Sequence, residues 1–418
     1  MKRFFLIFLA AATILVAKSS LISPIPLPKT YIQDLDPYSC DDTCLKQELE
    51  NGMIFSFLSH SSGILNDKQL NDQRLINISL FNIGSPISNG KLKIALLLPY
   101  KIIGRYAAST TTSVFAYLLA KNRTFDIKSF NIDTENQDMI ASTLNKIEKE
   151  GYLYVIAPLT KEGVNAVIAI NPKLDIYFPT INKKDVNSTS PYLYFGGIDY
   201  QAQLNALLEQ VSSPLVVFHD DSPLSYNLSQ YAKNTFLGQD SNDTQQATQE
   251  ISSVQSEGVD VKEYKITNHS SNLKYILKDN QDIQHGSFLM NTPVIKTGMI
   301  MSQLTLYDVN STNILSTQIN YDPLILSMTQ YQDRQNMIIA NSVTLNNSII
   351  SETNALLSND IVYNWINYAT TIGVDYFFHL ITNSKREYPL PIVDNHVVYP
   401  IQLVQPSYAR FVRYLAPD

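Results

Sequence analysis

Two cysteines and six histidines are the residues of this chain that could supply a thiolate nucleophile or a soft metal ligand. Cys40 and Cys44 are four positions apart, a spacing that closes a small loop or places both side chains on one helix face. Two such cysteines pair in an oxidising compartment, so we predict a structural disulfide. A redox-active dithiol is the alternative, although such dithiols normally have two residues between the cysteines. The histidines are scattered, and we predict no metal site.

The run His219, Asp220 and Asp221 has the residue types of an acid–base or metal cluster. Adjacent residues at the end of a strand point in different directions, so we interpret this run as a surface loop. The sequence contains no Gly-x-Ser-x-Gly elbow, no Walker Gly-Lys-Thr and no Gly-x-Gly-x-x-Gly. We therefore predict that the protein is not an enzyme and uses no cofactor.

The overall composition excludes several classes of protein. A net charge of −7 and a pI of about 5.4 argue against a nucleic-acid-binding protein, which would have to neutralise phosphates. Hydrophobic residues make up 44% of the chain and charged residues 17%, so we exclude wholesale disorder. The 418 residues are enough for two or three globular domains.

Residues 1–19 have the pattern of a secretory signal peptide. Lys2 and Arg3 precede an uncharged stretch from Phe4 to Ala17. Its ~14 apolar residues are fewer than the ~20 that span a bilayer, so we predict cleavage rather than an uncleaved membrane anchor. A lipid-anchored protein would need a cysteine directly after this stretch, and the first one is Cys40. We expect an exported, soluble periplasmic protein with no lipid anchor and no transmembrane segment in the mature chain.

Three asparagines lie in pentads that resemble the extended N-glycosylation acceptor of some bacteria. They are Asn187, Asn242 and Asn310, each two residues after an aspartate and two before a threonine. All three fall in polar stretches between apolar runs, where an acceptor has to be accessible. The alternative is that an Asn- and Ser-rich chain contains such pentads by chance, as ordinary turns.

From Lys91 onward, strands and helices alternate. A first series of strands, Lys93–Pro99, Phe125–Ile132, Tyr152–Pro158 and Asp175–Pro179, is followed by a second series beginning at Tyr192. This alternation predicts an α/β fold of two parallel-sheet lobes with a cleft between them, preceded by a short, mainly helical segment over 20–90. We assign 91–196 and 331–394 to the first lobe, and 197–330 and 395–418 to the second. The stretch 354–380 is predicted as a helical region broken near Gly373.

Several stretches resemble a known fold. They include Val155-Ile-Ala-Pro-Leu-Thr160, Ile176-Tyr-Phe-Pro-Thr-Ile-Asn182 and Phe218-His219. In their order and spacing, residues 91–418 resemble the type I periplasmic-binding-protein fold, and within it the C-terminal domain of the LpoA-like activators of penicillin-binding proteins. The chain departs from this pattern at Ala157, where glycine is usual. It also lacks the lipid-anchoring cysteine and the helical-repeat domain of those activators.

The resemblance implies where a ligand would be held, because receptors of this fold bind ligands with the loops that follow the strands of both lobes. The corresponding positions are Pro99, Tyr100, Thr160, Thr180 and Asn182 in the first lobe, and His219, Asp220, Tyr226, Tyr321 and Asp322 in the second. Hydroxyls, amides and helix N-termini would suit a small carboxylate or a sugar. The alternative is that the two threonines cap helices and Tyr100 packs at the rim.

Two functional hypotheses follow. The first is a non-catalytic periplasmic protein that acts by protein–protein contact in the bacterial cell envelope, either regulating peptidoglycan synthesis or scaffolding an envelope complex. Its partners would be cell-wall synthases or another periplasmic machine. The alternative is a solute-binding receptor whose lobes close on a small polar ligand. A receptor would gain thermal stability when a metabolite binds, whereas a scaffold would not.

Overall fold

The computed structural model describes residue 30 and residues 32–36, 38–61, 63–81, 83, 92–121, 125–238, 260–267 and 269–415. The chain divides into two compact units, an N-terminal unit Met1–Gly90 and a C-terminal unit Lys91–Asp418. The predicted signal peptide over 1–19 and the acceptor-like Asn242 lie outside the described residues. Within the described residues, no helix is both long and apolar enough to cross a membrane.

The described residues of the N-terminal unit form three helices, α1 (Asp42–Glu50), α2 (Ile54–His60) and α3 (Lys68–Leu80). They pack around a small apolar core formed by Leu45, Phe57, Leu58 and Leu70. The Asp41 side chain accepts a hydrogen bond from the Cys44 N–H at 2.9 Å and so caps α1. The Sγ atoms of Cys40 and Cys44 lie at disulfide distance, and their Cα atoms are 5.3 Å apart.

The described residues of the C-terminal unit form two seven-stranded sheets. The strands are β1 (Leu92–Leu98), β2 (Phe125–Asn131), β3 (Tyr154–Ile156), β4 (Asp175–Phe178), β5 (Leu193–Phe195), β6 (Leu215–His219), β7 (Val261–Lys265), β8 (Ser287–Asn291), β9 (Asn313–Ser316), β10 (Met337–Asn341), β11 (Ile392–Val393), β12 (His396–Val397), β13 (Gln402–Pro406) and β14 (Phe411–Arg413). The first sheet has the order β11-β12-β5-β4-β3-β1-β2 and the second β14-β13-β10-β9-β8-β6-β7. All strand pairs are parallel except β11–β12, β10–β13 and β13–β14, which confirms the predicted two-lobed α/β fold.

Helices connect these strands and cover the sheets. They are α4 (Tyr100–Ile103), α5 (Arg105–Ala120), α6 (Gln137–Lys149), α7 (Lys161–Ile170), α8 (Tyr200–Leu208), α9 (Pro223–Phe236), α10 (Lys274–Leu277), α11 (Val294–Leu306), α12 (Leu324–Met328), α13 (Tyr331–Arg334), α14 (Ser348–Leu356) and α15 (Trp365–Thr382). Strand β1 shows why the first sheet is covered on both faces. Its Ala95 and Leu97 pack in a cluster with residues of α6 and α7, while α15 contacts β1, β3 and β4. An apolar run with both faces buried is typical of a central parallel strand.

The lobes divide the chain differently from the sequence-based boundaries. Strand β10, expected in the first lobe, pairs in parallel with β9 and belongs to the second sheet. Strand β12, expected in the second lobe, pairs with Phe195 of β5 in the first sheet. A short buried apolar strand looks the same in either sheet, and pairing partners distant in sequence leave no local pattern. The boundaries at 331 and 395 are therefore displaced.

The helical region over 354–380 is interrupted before the predicted position. Helix α14 ends at Leu356, and α15 runs without a break from Trp365 through Gly373. A Cβ atom at Gly373 would lie 2.3 Å from the Tyr177 ring, so the glycine permits close helix–sheet packing. The Tyr177 hydroxyl donates to the Ala369 carbonyl at 3.0 Å in the same helix. Gly373 is explained by this contact, and it does not end the helix.

Candidate functional site

Three connections run between the lobes. They cover 196–199 between β5 and α8, 342–347 between β10 and α14, and 398–401 between β12 and β13. The Tyr399 hydroxyl donates to the Gly196 carbonyl at 2.7 Å, which ties the third connection to the first. The Leu345 N–H of the second connection donates to the Tyr368 hydroxyl at 3.3 Å in α15. These bonds tie the connections to each other and to α15.

At the carboxyl edge of the first sheet, an internal carboxylate occupies a helix N-terminus. Glu135 follows β2 and is 5% exposed. Its oxygens accept hydrogen bonds from the Thr160 N–H at 3.0 Å, from the Thr160 hydroxyl, and from the Gly163 N–H at 3.2 Å. A Cβ at Gly163 would lie 2.7 Å from the Glu135 carboxyl carbon. The start of α7, where we expected a ligand carboxylate, is therefore filled by the protein's own glutamate.

The other predicted first-lobe positions are engaged in similar ways. The Thr180 hydroxyl donates to the Leu159 carbonyl at 2.7 Å, so it does not cap a helix. The Asn182 amide donates to the Gly197 carbonyl at 3.1 Å and lies 3.0 Å from His396 Nε2. Burial lowers the pKa of His396. Pro99 is buried, and Tyr100, which begins α4, is half-buried.

In the second lobe, the run His219, Asp220 and Asp221 does not converge on one point. His219 Nε2 lies 3.2 Å from Glu263 Oε1, Asp220 Oδ2 lies 3.5 Å from Lys296 Nζ, and Asp221 Oδ1 lies 2.6 Å from Lys265 Nζ. Three adjacent side chains thus contact three different partners, as the alternation of side chains along an extended strand requires.

The charged groups of this edge also neutralise one another. Glu263 Oε2 lies 2.6 Å from Lys233 Nζ, so the carboxylate beside His219 already has a cation. Burial alone would raise the pKa of Asp220, but hydrogen bonds from Ser222 and the nearby Lys296 lower it. Tyr226 is exposed, with its ring centroid 6.0 Å from that of His219. Asp322 is half-buried and accepts a hydrogen bond from the Leu324 N–H at 2.8 Å.

A cavity of about 270 Å³, which we call the interlobe pocket, lies beside the second connection. It is lined by Tyr321, Asn341, Val343, Thr344, Leu345, Asn346, Ile361, Val362, Tyr388, Gln402, Val404, Phe411, Val412 and Arg413. Tyr321 is the one predicted ligand position that lines it. The Tyr321 ring packs against Phe411 at 4.7 Å and Tyr363 at 5.3 Å between centroids. Burial, with Tyr363 and Asp360 nearby, raises the pKa of Tyr321 to about 12.

The polar groups of the interlobe pocket are less fully engaged than those of the sheet edges. Tyr388 is 1% exposed, and within the described residues its hydroxyl makes no hydrogen bond of normal geometry. Burial raises the pKa of this hydroxyl, and the Asn347 N–H nearby partly offsets that increase. Arg413 is exposed and lines the pocket, so a cationic side chain lies beside it. Aromatic faces, a hydroxyl and a cation suit a small polar or anionic ligand.

A buried aspartate holds Tyr388 in place. Asp375 in α15 is fully buried and accepts hydrogen bonds from the Tyr388 N–H at 3.1 Å and the Glu387 N–H at 2.8 Å. Its carboxylate also accepts from the Tyr117 hydroxyl at 2.8 Å and lies 3.3 Å from Arg386 Nε. This network fixes the segment that forms one wall of the interlobe pocket.

Sequence reasoning missed Glu135, Tyr388 and Arg413. Glu135 lies 25 residues before Thr160, and an acidic residue after a strand is ordinary in sequence. Tyr388 and Arg413 belong to the C-terminal tail, which the pattern predicts only as extended segments. No motif marks any of the three. The acceptor-like Asn187 and Asn310 are both exposed outside regular elements.

No protein-family model matches the sequence, and no curated protein matches it. Among solved structures, a branched chain amino acid ABC transporter from Thermus thermophilus with bound valine has a TM-score of 0.55 at 10% identity, covering 78% of this chain and 96% of that one. The branched-chain amino acid transporter substrate binding protein LivJ from Streptococcus pneumoniae, in complex with isoleucine, has a TM-score of 0.53 at 10% identity, covering 77% and 97%. Haemophilus influenzae LpoA has a TM-score of 0.48 at 13% identity, covering 90% and 72%.

The first two matches confirm the predicted fold. The C-terminal unit has the type I periplasmic-binding-protein fold, with two mostly parallel sheets in two lobes. At 10% identity the likeness concerns the fold alone.

Proposed function

We propose that this chain is a non-catalytic, exported protein of the bacterial periplasm that acts through protein–protein contact in the cell envelope. Its partners are cell-wall synthases or another periplasmic machine, and it regulates peptidoglycan synthesis or scaffolds an envelope complex. The peptidoglycan part of this proposal rests on the sequence resemblance to LpoA-like activators. The periplasmic part rests on the signal-peptide pattern of residues 1–19.

One observation favours protein–protein contact over the binding of a solute. The protein's own groups already bond to the side chains that were expected to hold a ligand. Glu135 fills the N-terminus of α7, and Asn182 is bonded to Gly197 and lies against His396. In the second lobe, His219 lies against Glu263, which in turn is paired with Lys233. A ligand at these positions would have to displace bonds that the protein already makes. These edges are therefore poor sites for a small carboxylate.

Site-specific photocrosslinking in intact cells tests this proposal. A photoreactive residue replaces the exposed Tyr226 at the edge of the second lobe, or the exposed Tyr275 in α10 as a matched control. We expect the first position to capture a penicillin-binding protein or another assembled envelope complex more strongly than the control position. Capture of a transporter permease, together with a rise in Tm on adding isoleucine or valine, would refute the proposal.

The interlobe pocket favours a second function, binding of a small polar ligand. The buried Tyr388 hydroxyl and the Arg413 guanidinium provide a donor and a cation beside aromatic walls. Thermal denaturation with a panel of small carboxylates and sugars tests this function. A stabilising compound should lose its effect in Arg413→Gln and keep it in Arg410→Gln, which removes an exposed arginine of the same hairpin. If no compound stabilises the protein, or both variants respond alike, the pocket does not bind these ligands.

A further inference from the structure

The helices of the N-terminal unit bring four metal-binding side chains together. Cys44 and Glu48 are four residues apart on one face of α1, Cys40 lies directly before the N-cap Asp41, and His60 ends α2. One ligand atom from each of the four lies within 4.8 Å of the others. Two sulfurs, an imidazole nitrogen and a carboxylate oxygen form a donor set that suits Zn²⁺.

The surroundings of this group favour a cation. Glu48 is 9% exposed, and its Oε2 is buried without a hydrogen-bond partner in the described part of the chain. Its other oxygen lies 2.8 Å from His60 Nδ1. His60 Nε2 faces two more carboxylates, Asp34 and Asp36, each at 3.6 Å. A buried carboxylate oxygen without a donor is unfavourable, and a bound cation would satisfy it.

We propose that reduction of the Cys40–Cys44 disulfide converts this group into a zinc site. The ligands are the two thiolates, one ring nitrogen of His60 and one oxygen of Glu48. Zn–S bonds of about 2.3 Å and Zn–N bonds of about 2.0–2.1 Å place tetrahedral ligands about 3.3–3.8 Å apart. The two sulfurs therefore have to separate once their bond is broken, and any donor pair near the upper limit of 4.8 Å has to approach by about 1 Å. Asp34 and Asp36 then orient the imidazole through its other nitrogen, as carboxylates do around many zinc-bound histidines.

The redox step balances with a dithiol reductant, such as a thiol–disulfide oxidoreductase in its reduced state. The reductant transfers two electrons and two protons, its own disulfide forms, and Cys40 and Cys44 become thiols. Zn²⁺ binding then releases two thiol protons to solvent, because only thiolates coordinate the ion. A disulfide-carrying oxidoreductase reverses the sequence and expels the metal. Disulfide and zinc are thus mutually exclusive states of the same two cysteines.

Zinc binding to the full chain tests the proposal. The protein is stripped of metal and measured with and without tris(2-carboxyethyl)phosphine, using Zn²⁺ alone as the probe in competition with a chromophoric chelator. We expect one zinc ion per reduced chain and none per oxidised chain. Co²⁺ in the reduced chain should give thiolate charge-transfer absorption and the visible bands of a tetrahedral site. If reduction lowers the helical circular dichroism, zinc should restore it.

Variants establish which ligands take part. Glu48→Gln and His60→Asn should each weaken zinc binding by at least tenfold in the reduced chain, because loss even of a residue that only orients a ligand commonly costs about 10–100-fold in metal affinity. The controls Glu50→Gln and His269→Asn remove an exposed glutamate of the same helix and an exposed histidine elsewhere, and should change nothing. Absence of binding to the reduced chain, equal binding to the oxidised chain, or indifference to both ligand variants would each overturn the proposal.

Discussion

At the carboxyl edge of the first sheet, the buried Glu135 carboxylate receives three hydrogen bonds from the start of α7. In the interlobe pocket, the equally buried Tyr388 hydroxyl receives none of normal geometry within the described residues. Both regions hold buried polar side chains. The comparison distinguishes polar groups that are hydrogen-bonded within the protein from polar groups that keep hydrogen-bonding capacity for a ligand. A polar group that already bonds to the protein's own side chains or backbone is structural, and a polar group without such partners can bind a ligand. The residue type alone does not distinguish the two.

The largest effect should come from removing the anchor of the pocket wall. Asp375→Ala leaves the half-buried Arg386 guanidinium without its carboxylate and removes the acceptor of the Tyr388 N–H. We expect a loss of about 3–5 kcal/mol in the free energy of unfolding, measured with urea. The exposed Asp360→Ala serves as the control. A loss below about 1 kcal/mol would mean that the wall does not depend on this network.

The next largest effect should come from removing the Glu135 carboxylate from the N-terminus of α7. Glu135→Ala leaves the N–H groups of Thr160 and Gly163 without acceptors, which should cost about 2–3 kcal/mol of the free energy of unfolding. Acetate should then bind in the vacated space and raise the Tm of the variant more than that of the wild type. The control is Glu162→Ala, an exposed acidic residue in the same first turn. Equal effects of the two substitutions would contradict the filled-site interpretation.

Two Tyr→Phe variants allow a direct comparison between a hydroxyl that is hydrogen-bonded within the protein and one that is not. Tyr117→Phe removes a hydrogen bond to the buried Asp375 side chain and should cost about 1.5–3 kcal/mol in the free energy of unfolding. Tyr388→Phe removes a hydroxyl without such a bond, so its free energy should stay within about 0.5 kcal/mol of the wild type. Urea denaturation of both variants under one condition measures the difference. If the two losses are equal, the Tyr388 hydroxyl is engaged after all, and the pocket is a structural region.

The smallest effect should be a dependence on pH at the first-lobe edge. Burial lowers the pKa of His396 in the folded state, so its contribution is fully present above the unfolded value of about 6.5 and is lost as pH falls through the folded pKa. The free energy of unfolding should therefore decrease from pH 7 towards pH 5. His396→Gln should flatten this slope, whereas the exposed His269→Gln should leave it unchanged. An unchanged slope in His396→Gln would show that burial does not exclude the charged imidazole.

The sequence predicts well those features that depend on the local spacing of apolar residues. The apolar run of β1 and the alternation of strands and helices predict two parallel-sheet lobes, and the structure has them. The sheet to which β10 belongs was predicted incorrectly, because its five buried residues fit either lobe. Glu135 and Tyr388 were missed for a related reason. Their roles depend on partners brought close by the fold, and neither lies in a motif.

One edge strand of each sheet, β2 in the first and β7 in the second, carries charges along its length. Strand β2 contains Asp126 and Lys128, with Lys128 Nζ 2.6 Å from Glu150 Oε2, and β7 contains Lys262, Glu263 and Lys265. Lysines on an open sheet edge oppose the addition of another strand, because pairing would bury or crowd their ammonium groups. We therefore expect these edges to resist amyloid-like self-association at high protein concentration. A peptide ligand that binds by extending a sheet would find no receptive edge at either strand.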